Sequence, residues 1–183
     1  MVLNYKDEAD PDRAAVLDIE RETLDATRRD VWQTDTSIGL KSWGYIRDEK
    51  YRTPASLIGD LVDIVSKNGI RLLNVGPRAD GTIPDQVQAI LLEMGDGLRV
   101  NGEAIYGTRP GTVFGEGPTE VLAGGFTDRK QAPFTGQDIR FTCRGETIYA
   151  VALDWPGRQL VVKSITTNPH AVTLLGYDGR LAW

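Results

Sequence analysis

Two carboxylates one residue apart, Asp18 and Glu20, close an apolar run that opens at Ala14 and passes through Val16, Leu17 and Ile19. Alternate side chains of an extended strand point the same way, so this spacing puts both acids on one face of a short buried strand, with Glu20 at its exit. The ends of strands are where a barrel or open sheet holds its chemistry. Trp43 follows in a stretch that also carries Trp32 and Tyr45. Carboxylates beside aromatic rings suit carbohydrate: sugar C–H faces lie on indole, and carboxylates accept from hydroxyls or exchange protons with a glycosidic oxygen.

Other chemistries find little material. One histidine and one cysteine leave only carboxylates as metal ligands, and no calcium-binding loop pattern is present, so neither a metal nor any other cofactor is expected. His170 sits beside Pro169, far along the chain from any activated serine, and reads as a surface residue. The run Gly76-Pro77-Arg78-Ala79-Asp80-Gly81 matches neither a dinucleotide fingerprint nor a phosphate loop, and reads as a packing turn. Asn74, Gly76, Pro77 and Asp80-Gly81 all have turn or capping reasons to exist.

The elements that must position these residues follow from periodicity. Ala14–Glu20 reads as a strand and 32–50 as a long ordered loop, since it shows neither a helical nor a strand period. Thr53-Pro54 offers a cap followed by proline at a first helical position, and Leu57, Ile58, Leu61, Val62, Ile64 and Val65 continue at helical spacing towards Gly69. Ile70–Val75 predicts a strand. Pro84 opens a second helix through Val87, Ile90, Leu91, Met94 and Leu98, ending at Asn101-Gly102.

Beyond Pro110 glycine and proline punctuate the chain, and strand-like runs appear at 138–144, 147–154, 159–165 and 171–177, with hairpin turns expected at Arg144-Gly145-Glu146 and Asp178-Gly179. The expected fold is therefore α/β over residues 1–110 followed by all-β over 111–183.

Composition sets the outer bounds. The 183 residues are 40% hydrophobic and 26% charged, as in a globular protein of one domain or two small ones. A net charge of −5 without a basic patch argues against nucleic acid as a partner. No apolar run approaches the roughly 20 residues that span a bilayer, and the first ten residues lack the apolar stretch of a signal peptide, so no membrane association is expected. The single Cys143 cannot form an internal disulfide, and the compartment is left open.

The blocks Val31-Trp32-Gln33-Thr34-Asp35-Thr36-Ser37-Ile38-Gly39, Ser42-Trp43-Gly44-Tyr45, residues 61–69, 72–84 and 101–110 together resemble glycoside hydrolase family 29, the α-L-fucosidases, in order and in spacing. The likeness covers 14–110 and extends more softly to Trp155-Pro156. It implies a retaining exo-hydrolase acting on fucosylated glycans or oligosaccharides, built on a (β/α)8-type barrel followed by an antiparallel β-sandwich. Its acid/base glutamate matches Glu20, with Glu22 the lesser alternative, and Trp43 matches an aromatic residue set against the sugar, facing its C6 methyl.

In that family the nucleophilic aspartate, the fucose-binding histidines and several barrel strands come before the equivalent of Ala14. A full barrel takes about 250 residues, so 1–110 corresponds to part of one. A partial barrel exposes sheet edges and inner faces, which leaves three expectations: a fragment of a longer fucosidase, assembly as a homo-oligomer or with a complementing chain, or a smaller non-catalytic carbohydrate-binding or structural fold. Asp18, Asp35 or a partner's carboxylate would then have to act as nucleophile.

Overall fold

The computed structural model describes residues 3–6, 15–123, 126–128 and 130–183. Four strands, β1 (Asn4–Tyr5), β2 (Val16–Glu20), β3 (Trp32–Ser37) and β4 (Gly69–Asn74), form a fully parallel sheet in chain order. Helix α1 (Pro54–Ser66) packs against β4, and α2 (Asp85–Asn101) packs against α1. A second sheet, antiparallel, contains β5 (Arg109–Glu116), β6 (Ile139–Arg144) and β7 (Thr147–Ala152). The α/β-then-β order expected from the sequence is present as a parallel sheet, two helices and an antiparallel sheet. Ala14, at the head of the expected first strand, lies outside the described residues.

The helices form where the sequence signals them. Thr53 caps α1 by accepting from the Ser56 amide at 3.2 Å, and Pro54, lacking an amide hydrogen, occupies the first turn without loss. Leu57 from α1 joins Val87, Ile90 and Met94 from α2 and Ile38 in one buried cluster, with Leu73 of β4 against it. Asn68, at φ 70°, turns the chain from α1 into β4, and Gly69 follows because a Cβ there would come within 2.6 Å of the Trp32 ring. Trp32 itself is fully buried and donates its indole N–H to the Lys67 carbonyl at 3.0 Å.

The expected loop over 32–50 is corrected at its start. Trp32–Ser37 is a central strand paired on both sides, because Trp32, Thr34 and Thr36 alternate into the interior and the threonine hydroxyls find internal acceptors, Thr34 on the Glu22 carbonyl and Thr36 on Asp128. A strand whose buried face is made of hydroxyls carries no apolar period. From Ile38 to Arg52 the chain does form an ordered loop, closed by Arg52 N–H to Ile38 O and Leu40 N–H to Lys50 O, both at 2.9 Å.

In the antiparallel sheet β6 and β7 join through Gly145-Glu146, with Gly145 at φ 60° as a two-residue hairpin requires. β5, which contains Pro110, Gly111 and Gly115, pairs with β6 across an irregularity between Pro110 and Gly115, and glycine-rich composition hides it from a pattern reading. The runs 159–165 and 171–177 are not strands. In the first, the Lys163 and Ser164 amides donate to the Glu116 carboxylate at 2.8 and 2.7 Å instead of to a ladder. The second is folded back by Gly176 at φ 76°, leaving a single bridge from Leu174 to Tyr177, so the turn falls there and not at Asp178-Gly179.

A buried ionic cluster ties α1 to the antiparallel sheet. Asp63 of α1 accepts from Lys67 Nζ at 2.7 Å and from Arg140 Nε of β6 at 2.5 Å, and Phe114 and Phe134 lie against Arg140. All three charged side chains are almost fully buried. Burial draws the Lys67 pKa down against the pull of Asp63.

Candidate functional site

Register decides what shares the open face of the parallel sheet. Asp18 pairs with Gln33 and Glu20 with Asp35, while Gln33 and Asp35 pair with Ile70 and Leu72, so these six residues stand on the face opposite the helices. Gln33 donates to Asp18 Oδ1 at 3.2 Å. Lys6, next to β1, places its ammonium 3.1 Å from Asp35 and 3.8 Å from both Asp18 and Glu20. Burial lowers the Lys6 pKa, but the hydrogen bond and charge of Asp35, with Asp18 and Glu20 behind it, leave it raised overall.

Glu20 ends β2, and its side chain is 37% exposed. The next residue, Arg21, has φ 51°, a left-handed conformation that costs an L residue with a Cβ about 1–2 kcal/mol. The Arg21 guanidinium lies against Trp43, 4.2 Å from its ring centroid. Arg21 is 1% exposed and Trp43 36%, so the cation is desolvated while ring surface stays open. The link from Glu20 to Trp43 runs through Arg21.

Trp43 is held by the glycine-rich block after β4. Asn74 Nδ2 donates to the Trp43 carbonyl at 2.6 Å. A Cβ on Gly76 would meet the Gly44 carbonyl carbon and the Tyr45 nitrogen at 2.9 Å, so only glycine lets the two loops touch. Ser37 Oγ lies 2.9 Å from both the Gly39 and Ser42 carbonyls, which share its one hydrogen, and the Glu49 carboxylate accepts from the Lys41, Ser42 and Lys50 amides. The next turn is built by Asp80, whose Oδ1 accepts from the Thr82 amide and hydroxyl, with Gly81 at φ 85°.

Glu22 faces elsewhere. With Thr34, Thr36, Arg52 and Asp60 it lines a cavity of about 30 Å³ between the sheet and the 127–134 segment, room for one or two waters and far too small for a sugar. A cleft of about 550 Å³ in the antiparallel region, lined by Glu116, Gln137 and Leu160 among others, contains none of the candidate residues. His170 is exposed. Among the described residues no group of three or more histidines, cysteines and carboxylates could hold a metal ion, and no helix is long and apolar enough to cross a membrane.

Sequence reasoning did not find Arg21, Lys6 or Asp128. Arg21 lay beside Glu20, but nothing in its type signals a left-handed turn. Asp128 is distant in sequence from the site, and only the folded chain brings its Oδ2 to Thr36 Oγ1 at 2.7 Å and Arg21 Nη1 at 3.4 Å.

Comparison with known proteins gives a uniform result. The family model for alpha-L-fucosidase matches residues 4–103. Human tissue alpha-L-fucosidase is 36% identical over 157 residues, covering 83% of this chain and 30% of its own length, and the alpha-L-fucosidase of Branchiostoma floridae is 32% identical with similar coverage. The crystal structure of Thermotoga maritima alpha-fucosidase in complex with fucose superposes with a TM-score of 0.56 at 38% identity, covering 70% of this chain and 26% of that one. Alpha-L-fucosidase isoenzyme 1 from Paenibacillus thiaminolyticus superposes with a TM-score of 0.59 at 29% identity, over 75% of this chain and 29% of that one. The chain thus spans about 30% of the length of the curated relatives it matches. Glu20, Arg21, Trp43 and the block that holds Trp43 all fall inside the matched residues, and the chain belongs to the alpha-L-fucosidase family.

Proposed function

We propose that this chain carries part of the site of an α-L-fucosidase-type glycoside hydrolase, which releases terminal α-L-fucose from fucosylated glycans with retention. Glu20 is the acid/base and Trp43 the wall of the fucose subsite. The observation that carries this reading is the continuity of Glu20, Arg21 and Trp43 at the exit of a parallel strand, with a carboxylate, a desolvated cation and an open indole edge in sequence. Residues 1–110 are read as part of a (β/α)8-type barrel and 111–183 as the β-sandwich that follows it, the antiparallel sheet beginning with β5.

Retention needs two carboxyl groups roughly 5–5.5 Å apart. Asp35 stands opposite Glu20 in the sheet and Asp18 two residues before it, so either can serve as nucleophile, or a partner supplies one. Ile70 and Leu72 are 52% and 56% exposed on the carboxylate face, whereas parallel sheets are ordinarily covered on both faces. This supports covering of that face by further polypeptide, whether the rest of a longer chain, a second copy or a complementing chain.

A second reading, a non-catalytic carbohydrate-binding or structural module, draws on Asn74, Gly76 and Asp80, each of which has a purely structural task here. Turnover of a chromogenic α-L-fucoside separates the two. Hydrolysis with retained anomeric configuration supports the hydrolase, L-fucose binding without turnover supports the carbohydrate-binding module, and neither binding nor turnover contradicts both of these and favours the structural one.

A further inference from the structure

We propose that Asp128, outside the residues matched by the family model, is a positioning residue for the sugar subsite: it fixes the Arg21 turn and, through it, the ring of Trp43. This inference rests on the reading of Glu20 and Trp43 as that subsite.

The left-handed backbone of Arg21 persists only if its surroundings over-determine it. Two backbone hydrogen bonds do so from opposite sides. The Arg21 amide donates to the Asp35 carbonyl at 2.9 Å, and the Asp128 amide donates to the Arg21 carbonyl at 3.2 Å. A parallel bridge between Thr23 and Ala123 brings the same distant segment alongside.

The Asp128 side chain adds a charge where two cations converge. Its Oδ2 accepts from Thr36 Oγ1 at 2.7 Å and lies 3.4 Å from Arg21 Nη1 and 3.7 Å from Arg52 Nη1, with all three charged side chains at least nine-tenths buried. Without that carboxylate, two desolvated guanidiniums would face each other. The Arg21 guanidinium stacks on the Trp43 ring, so a change in its position reaches Trp43. The region after the parallel sheet therefore reaches back to shape the site.

The test uses the full chain. Asp128→Asn keeps the shape and removes the charge. The readouts are the indole N–H resonance of Trp43, assigned with Trp43→Phe, and L-fucose affinity by titration. We expect a shifted Trp43 resonance and affinity weakened by about tenfold, the scale of one desolvated cation–π contact. Combined with Arg21→Ala, the effect should be strongly non-additive. Asp138→Asn, which loosens the same region away from Arg21, should lower the melting temperature and leave both readouts alone.

A folded Asp128→Asn protein with an unmoved Trp43 resonance overturns the proposal, as does additivity with Arg21→Ala. If Asp128→Asn does not fold, Thr36→Val, which removes only the 2.7 Å hydrogen bond that fixes the carboxylate, should shift the same resonance, and no shift overturns the assignment. Failure of the wild-type chain to bind L-fucose contradicts the fucose reading alone, and the Trp43 resonance then decides the role of Asp128.

Discussion

Arg21 and Trp43 form a stacked pair in which the guanidinium lies 4.2 Å from the centre of the indole. Sequence places one directly after the candidate acid and the other in a loop more than twenty residues on, and a left-handed turn at Arg21 with a glycine contact at Gly76 brings them together. The consequences can be measured at each end of that arrangement.

At the loop end, Gly76→Ala forces a methyl group against the Gly44 and Tyr45 backbone, which cannot yield as a flexible side chain would. The Trp43 loop should shift by a fraction of an ångström. Misplacement of about 1 Å in a site can cost on the order of 100-fold in rate, so α-L-fucoside hydrolysis and L-fucose affinity should both fall, and the clash itself should cost about 1–3 kcal/mol of stability. Titration with L-fucose, alongside a melting curve, checks both halves.

Between α1 and β6, Asp63 is the common partner of two buried cations. Asp63→Ala leaves Lys67 and Arg140 uncompensated, and unfolding in urea should show a loss of about 3–5 kcal/mol. Replacing Arg140 by Met in addition should recover part of it. A double variant as unstable as the simple sum would show that the pair is not coupled.

Acid should act through Asp138. Burial alone would push this carboxyl up, but the Thr135 and Thr119 amides and both hydroxyls donate to it at 2.7–2.9 Å and leave its pKa lowered. A depressed carboxylate contributes stability above its unfolded pKa of about 3.9, and that contribution is lost as pH falls through the folded value. Wild-type chain should exceed Asp138→Asn in melting temperature at pH 7, with the gap closing below about pH 4. A gap independent of pH would contradict the assignment.

Much of this architecture was legible in the sequence. Thr53-Pro54, the helical spacing of Leu57 through Val65, and Val87, Ile90 and Met94 mark both helices because each signal is local. Asp18 and Glu20 were readable as one face of a strand for the same reason. β3 was not, since its buried side chains include Thr34 and Thr36, whose partners, Glu22 and Asp128, come from elsewhere. Leu160 and Val161 gave a false strand because a short apolar, β-branched run says nothing about whether a ladder partner exists, and both remain exposed. Arg21 and Asp128 escaped because a positive φ and a contact across 107 residues leave no trace in residue type.

The proton-donating role of Glu20 is tested most directly by the rate of α-L-fucoside hydrolysis in Glu20→Ala against wild type, with and without azide. Losing a general acid typically costs 10²–10⁴-fold, so the rate should drop by about that factor, and azide should restore part of it by replacing the missing base-assisted water. Hydrolysis at the wild-type rate in Glu20→Ala would contradict it.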